Sequence, residues 1–278
     1  MTTARAKQLI TNNVCIPTLP SVVQRVGELL EHTSGVREIG AVVADDPTLL
    51  ARVLKVANSA CYGLSEPCIS TDQASSVLGE RVLRNVVTQA AVISRFERNA
   101  DHRRALDELW RHSTLSAHVA SLLAHRSRAD LGLAPDELHS CALLHDLGKI
   151  VMLENMGQEF LDVVRRVEAE NLPACVIEEQ RFGFNHADVG AMIAVQWGLP
   201  PAIVDAIQFH HGPRDAIEAS RSTAIVAHAN ALVQSAASSD PRAASTVIDG
   251  AAMEFLGLSP EAVAEAAEFA AKSLVRTA

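Results

Sequence analysis

Apolar residues recur at three- and four-residue spacing along almost the whole chain, and this spacing limits the folds open to it more than any other feature. Val22, Val26 and Leu29 form one such face, and Leu115 and Val119 begin another. This is the period of one face of an α-helix, whereas a half-buried strand alternates every second residue. Alternating segments joined by Asn-Gly or Asp-Gly turns, the signature of hairpins, are missing. The sequence therefore predicts an all-α protein of about a dozen helices.

Two helix starts are marked by a capping residue followed by proline. Asp46 precedes Pro47, and Ser259 precedes Pro260. An Asp or Ser side chain accepts hydrogen bonds from the first free backbone N–H groups of a helix, and proline suits the first helical position because its missing N–H is not needed there. We predict that helices begin at both prolines.

Composition and charge narrow the class of protein. Apolar residues make up 48% of the 278 residues and charged residues 21%, which excludes a disordered chain. The net charge of −9 argues against a protein that grips nucleic acid, because such proteins carry a basic surplus. No stretch approaches roughly 18 uninterrupted apolar residues, so no membrane span is expected.

The cysteines and the first residues bear on the compartment. The five cysteines are scattered, and none forms a CxxC pair, which fits neither a disulfide framework nor a zinc ribbon. Arg5 and Lys7 lead directly into polar residues, so no apolar core of a signal peptide is present. We expect a soluble cytoplasmic protein with reduced thiols.

A histidine next to an aspartate is the sharpest local feature. His145 and Asp146 follow the apolar run 141–144 and precede Leu147 and Gly148. The apolar run favours a buried helix, and we expect Gly148 to end it. Burying an imidazole beside a carboxylate is unfavourable unless a metal or a mutual hydrogen bond satisfies both groups. The residues alone leave these two interpretations open.

Further histidines fall on separate predicted helices. His112 lies on an amphipathic helix before the pair, His186 opens a helix, and His210 and His211 end another. Four elements can thus direct ligand atoms toward one carboxylate, and such mixed sites suit iron, manganese, zinc or nickel better than calcium or magnesium. We interpret five other histidines as ordinary core or surface residues: His32, His102, His118, His125 and His139.

The order of these residues resembles the HD superfamily of metal-dependent phosphohydrolases. Stretches 16–20 and 46–60, the second with an Asp-Pro…Ala-Asn-Ser pattern, resemble more specifically the HD-related output domain, HDOD. Stretches 110–113 and 197–200 carry the same resemblance. It implies a compact multi-helix bundle of HD-domain type with an additional N-terminal helical block.

The resemblance also implies a domain organisation. The HDOD domain is expected over residues 14–235, with the N-terminal block at 14–97 and the histidine block at 101–235. Residues 236–278 are expected to form a C-terminal helical extension packed on that domain.

A set of site residues follows from the same resemblance. It implies His112, His145, Asp146 and His210 around one metal, with His186 and His211 at a second. HD enzymes normally complete the first shell with an Asp on a late helix, and this sequence has Asn230 there. Lys149 matches a position that approaches substrate phosphate.

Family members are usually described as bacterial signalling output or regulatory modules, and many have lost metal ligands. Asn230 brings no charge and cannot bridge two cations as a carboxylate does. The favoured interpretation is a non-catalytic, metal-bound module that acts through signalling proteins supplied by other chains.

Two alternatives stay open from the sequence. One is a metal-dependent phosphohydrolase acting on a nucleotide or cyclic dinucleotide, and a nucleotide is accordingly a candidate ligand. The other is a helical adaptor in which the histidines are coincidental. Cyclic di-GMP hydrolysis is not assigned, because the histidine pair leads into Gly-Pro-Arg-Asp at 212–215 rather than a Gly-Tyr-Pro signature.

Overall fold

The computed structural model describes residues 35–59, 62–93, 100–212, 220–237 and 247–275, together with Ala6 and Arg25. Stretch 16–20, one of those that resemble the HDOD domain, lies outside these residues. Within them the chain is helical and no strand is present, so the prediction of an all-α protein is confirmed. The helices are α1 (Val36–Ala44), α2 (Pro47–Ala57), α3 (Thr71–Ile93), α4 (Ala100–Arg126), α5 (Pro135–Leu144), α6 (Leu147–Met156), α7 (Gln158–Glu170), α8 (Ala174–Phe182), α9 (His186–Gln196), α10 (Pro201–Phe209), α11 (Arg221–Ala237), α12 (Gly250–Leu256) and α13 (Pro260–Val275).

Both predicted helix starts are confirmed. α2 begins at Pro47, and Asp46 Oδ1 accepts hydrogen bonds from the backbone N–H groups of Thr48 and Leu49, each at 2.8 Å. α13 begins at Pro260, and the Ser259 hydroxyl accepts from a backbone N–H in the first turn. The caps therefore satisfy donors that the helix cannot satisfy itself.

The long helix α4 carries His112. This helix packs against α5 and α11, and α9 packs against both α6 and α10. α1, α2 and α3 pack on one another, and α2 contacts α5. α13 packs on α11 and α4, and the buried apolar side chains of all these helices belong to one continuous core.

The predicted domain boundary at residue 236 falls inside α11, which ends at Ala237. The other predicted boundaries at residues 14 and 97 lie outside the residues described, and the domain limits stay predictions. No helix in the described part of the chain combines the length and the apolar character that crossing a membrane requires.

A close crossing of two helices positions the site. Gly148 in the first turn of α6 lies directly against α9, where a Cβ atom on Gly148 would overlap the backbone carbonyl of His186 and lie 2.8 Å from Gly190 N. The sequence-based expectation for Gly148 was therefore wrong: α5 ends at Leu144, and Gly148 lies inside the next helix. The glycine is needed because two backbones touch there, not because a helix ends.

Candidate metal centre

Asp146 lies in the short link between α5 and α6, and its two carboxylate oxygens face different neighbours. Oδ1 is 3.3 Å from the Nε2 atoms of both His186 and His210. Oδ2 is 2.8 Å from Lys149 Nζ and 3.4 Å from His145 Nε2. Oδ2 also lies 3.6 Å from His112 Nε2, and the Asp146 side chain is fully buried. The carboxylate thus divides the candidate site into two groups.

The group on the Oδ1 side brings together Asp146 and three imidazoles. His186 Nε2 lies 3.2 Å from His210 Nε2 and 2.6 Å from His211 Nε2. These four residues offer ligand atoms within 4.8 Å of one another. Asp146 Oδ1 itself is buried and has no hydrogen-bond partner. An unpartnered carboxylate oxygen beside converging ring nitrogens is an arrangement that a cation satisfies.

The partners behind two of these rings decide which nitrogen carries the proton. His186 Nδ1 lies 2.5 Å from Glu178 Oε2, and His210 Nδ1 lies 2.7 Å from the Ile207 carbonyl oxygen. A carbonyl or carboxylate oxygen accepts, so each Nδ1 carries the hydrogen and each neutral ring has a free lone pair on Nε2. A hydrogen-bond acceptor on the ring nitrogen that does not bind the metal fixes the orientation of a metal-binding histidine. The residues of this group therefore fit a bound metal.

His112, His145 and Asp146 on the Oδ2 side form a second group with the ligand atoms to hold a metal, but neighbouring side chains already contact those atoms. His112 Nε2 lies 3.2 Å from His145 Nε2 and 3.0 Å from Asn230 Oδ1. Lys149 supplies the positive charge for Asp146 Oδ2. Asn230 on α11 therefore lies at the centre, beside His112 and not on the Oδ1 side. The family resemblance groups His210 with His112 and His145, whereas the structure places its Nε2 at Asp146 Oδ1 together with that of His186.

Burial and charge set the protonation of the centre. Burial opposes ionisation of Asp146, but Lys149 and its other neighbours hold the pKa of this carboxyl well below its usual range. Burial lowers the pKa of His112 to about 3 and that of His210 to about 4. At neutral pH the ionised Asp146 carboxylate therefore meets the neutral imidazoles of His112 and His210, and an ionised carboxylate with a neutral imidazole is the state that metals bind.

Glu178 on α8 is a candidate functional residue that the sequence did not reveal. It is fully buried, and its Oε2 accepts from the backbone N–H of His186 at 2.8 Å as well as from the ring. Burial opposes a charge on His186, but the Glu178 carboxylate outweighs that effect and raises the pKa of His186. In the sequence Glu178 stands beside the exposed Glu179, and no local signal separates the two.

A cleft of about 710 Å³ between α4 and α7 leads to the centre. His112, Asp146, Lys149, Glu178 and His211 lie at its floor. Its walls are largely apolar and come from α7 and from the link between α7 and α8. A small molecule can therefore reach the candidate metal site.

The other described histidines lie outside both groups. His102 Nε2 is 2.9 Å from Glu154 Oε1, and His139 Nε2 is 3.1 Å from the Ala44 carbonyl oxygen. His118 packs edge-on against His139. His32 lies outside the described residues, as do Pro213, Arg214 and Asp215 of the stretch after the histidine pair.

An all-α bundle that holds a buried histidine and aspartate cluster between α4, α6, α9, α10 and α11 defines an HD-type domain. The sequence-family model of the HDOD domain matches residues 16–213 of this chain. The chain therefore belongs to the HDOD family. The resemblance read from the motifs is therefore confirmed.

Individual relatives agree with this assignment. A protein of Treponema pallidum (strain Nichols), described as uncharacterized, is 29% identical over 222 residues, which span 79% of this chain but only 42% of that protein. A solved HDOD domain protein of unknown function from Geobacter sulfurreducens is 26% identical, with 97% of this chain and 96% of that chain covered and a TM-score of 0.54. A virulence factor from Campylobacter jejuni subsp. jejuni shares the fold at 18% identity, with coverage of 98% and 97% and a TM-score of 0.77.

Proposed function

We propose that this HDOD protein is a signalling module that binds one divalent transition-metal ion through Asp146, His186, His210 and His211 and does not hydrolyse nucleotides. The observation that carries the proposal is the buried Asp146 Oδ1, which has no hydrogen-bond partner and lies 3.3 Å from two imidazole nitrogens. Three imidazoles and one carboxylate are donors that iron, manganese, zinc and nickel accept.

The charges favour one cation over two. Asp146 is the one carboxylate in either candidate group of the described residues, and its Oδ2 already pairs with Lys149 at 2.8 Å. A second divalent ion on the Oδ2 side would meet the Lys149 ammonium and the neutral Asn230. Burial of charge without compensation is strongly unfavourable, so this side stays free of metal.

Neighbouring residues would orient the metal-binding side chains and set the charge around them. When bound, a divalent transition metal supplies a Lewis acid that coordinates an anionic oxygen of a ligand. Glu178 and the Ile207 carbonyl hold the rings of His186 and His210 with Nε2 toward Asp146. Lys149 places a second positive charge at the floor of the cleft.

A signalling role is supported by membership of the HDOD family, whose members are described as output or regulatory modules. Asn230 supports the absence of hydrolysis, because phosphohydrolases with two metals use carboxylates to hold both ions. On this proposal the protein acts through signalling proteins supplied by other chains.

Metal content tests the proposal directly. After anaerobic, chelator-free purification we expect up to one iron, manganese, zinc or nickel ion per chain, measured by elemental analysis. His210→Asn should lose most of this metal because it removes a nitrogen that faces Asp146 Oδ1. His118→Asn, a change of the same kind outside both groups, should keep it. Absence of metal above background, or equal loss in both variants, would contradict the proposal.

Hydrolysis is expected to be negligible. Cyclic di-GMP and ordinary nucleotides, tested with added manganese or iron, should turn over far more slowly than roughly 1 s⁻¹, the lower end of typical enzyme rates. Product analysis by chromatography measures this. Turnover above that rate that disappears in Asp146→Ala would establish the alternative, a metal-dependent phosphohydrolase.

Asn230→Asp should tighten divalent metal binding at least tenfold. Asn230 lies on the Oδ2 side, and an added charge about 8 Å from a cation on the Oδ1 side still contributes on the order of 2 kcal/mol at an effective dielectric near 20, more than the roughly 1.4 kcal/mol of a tenfold change. Competition titration against a chelator measures the affinity. Gln196→Glu adds the same charge at the exposed end of α9, outside both groups, and should change affinity less than threefold. Unchanged affinity in a folded Asn230→Asp protein would show that residue 230 does not act on the metal.

A further inference from the structure

The cleft above the metal centre combines a charged floor with walls that are largely apolar. The proposed function does not account for the apolar walls. Asp146, Lys149 and Glu178 lie at the floor of the cleft, while α7 presents an apolar stripe to it. Phe160, Val163, Val164 and Val167 all line the cleft at the spacing of one helix face. Leu172, beyond the end of α7, is 40% exposed at the mouth.

We infer that this cleft binds a small ligand with one negative charge and an unbranched apolar body, such as a medium-chain carboxylate. The inference deepens the proposed function and rests on it, because the metal supplies part of the charge that the ligand needs. The carboxylate end would lie at the floor, and the apolar body would lie along α7.

The number of charges at the floor points to a monoanion. Asp146 and Glu178 each carry one negative charge, and Lys149 carries one positive charge. Histidines coordinate a metal as neutral imidazoles, so one divalent cation would leave a single net positive charge among these groups. The Lys149 side chain is 12% exposed and lines the cleft, so it can meet a ligand there without leaving Asp146.

The remainder of the cleft disfavours a second anionic group. Among the described residues that line it, Lys149 is the only lysine or arginine, while Glu108 and Glu168 are both acidic. Arg104 lies outside the lining and is paired with Glu108 at 2.9 Å. A second phosphate of a nucleoside diphosphate or cyclic dinucleotide would thus find no free cation and would face Glu168.

The walls favour an apolar body over a nucleobase. Apart from the imidazoles of His112 and His211, the described lining contains one aromatic ring, Phe160, and α7 adds three valines and Glu168. Leu109 of α4 lies on the opposite wall. The apolar stripe of α7 offers a long contact surface to methylene groups, whereas a base lying along it would leave its polar edge unsatisfied.

A series of n-alkanoates from hexanoate to decanoate tests the inference by calorimetric titration of the full chain below the micellar concentration. The affinity should rise about threefold to fourfold for each added methylene group, as expected for burial in an apolar cleft. Decylammonium, which has the same body and the opposite charge, should bind at least tenfold more weakly than decanoate. Cyclic di-GMP should also bind more weakly than decanoate.

Two matched variants locate the binding. Leu172→Asp should weaken decanoate binding at least tenfold because it places a negative charge against the apolar body. Leu64→Asp replaces a leucine of similar exposure, 37%, that does not line the cleft, and should leave binding unchanged.

Metal content, measured in the same samples, distinguishes failure of this inference from failure of the proposed function. Protein that holds its metal but shows no chain-length dependence, or binds decylammonium or cyclic di-GMP as tightly as decanoate, overturns this inference and leaves the metal site standing. Protein that takes up no metal overturns the proposed function and this inference together.

Discussion

Replacing Asp146 with alanine is expected to abolish metal binding. Among the described residues, its Oδ1 is the one anionic oxygen that faces the Nε2 atoms of His186 and His210, and neutral imidazoles cannot supply the charge that offsets a divalent cation. Loss of a unit charge about 4 Å from the metal removes on the order of 4 kcal/mol at an effective dielectric near 20, or about a thousandfold in affinity. Competition titration and elemental analysis measure the loss.

Two further variants keep this result interpretable. Asp146→Ala also leaves Lys149 without its partner, and the apoprotein is expected to lose about 1–3 kcal/mol of stability for that reason. Asp146→Asn keeps the shape of the side chain and removes its charge, so it should lose most of the metal affinity with less loss of stability. Asp205→Asn on α10 removes a carboxylate outside both candidate groups and should leave metal binding unchanged. A folded Asp146→Asn protein with unaltered affinity would refute the central role of this carboxylate.

Gly148→Ala is expected to produce the largest loss of stability of any single methyl addition in the described helices. The new Cβ would overlap the His186 carbonyl, and a backbone group inside α9 cannot move aside as a side chain can. Overpacking against side chains typically costs about 1–3 kcal/mol, and we expect at least about 3 kcal/mol here. That corresponds to a drop in Tm of about 6–12 °C, measured by thermal unfolding.

The same substitution elsewhere provides the controls. Gly250 opens α12 with no atom within 4 Å of its added Cβ, so Gly250→Ala should stay within about 0.5 kcal/mol of the parent. Gly190→Ala meets the Ile207 side chain at 2.7 Å and should lie between the two. Metal affinity should fall in Gly148→Ala as well, because the crossing sets the distance between Asp146 and His186. A Gly148→Ala protein as stable as Gly250→Ala would mean that α6 and α9 do not approach as closely as described.

Local chemistry along the chain was enough to predict the helical class, the starts of α2 and α13, and the residue types gathered at the centre. Helical periodicity and N-caps act within one or two turns, so a sequence displays them directly. The pattern of the HDOD family extended this to His112 and Asn230, which stand 118 positions apart and lie 3.0 Å apart between His112 Nε2 and Asn230 Oδ1.

Only the tertiary structure determined which role each of these residues has at the centre. Gly148 was assigned to a helix end because left-handed glycines commonly occur there, while its role depends on a backbone from a different helix. Glu178 resembles its exposed neighbour Glu179 until α8 packs beside α9 and buries it against His186. The two oxygens of Asp146 acquire different partners because α6 presents Lys149 to one, while α9 and α10 present histidines to the other. Each of these roles depends on atoms brought together from distant parts of the chain, and no local pattern in the sequence records such a distance.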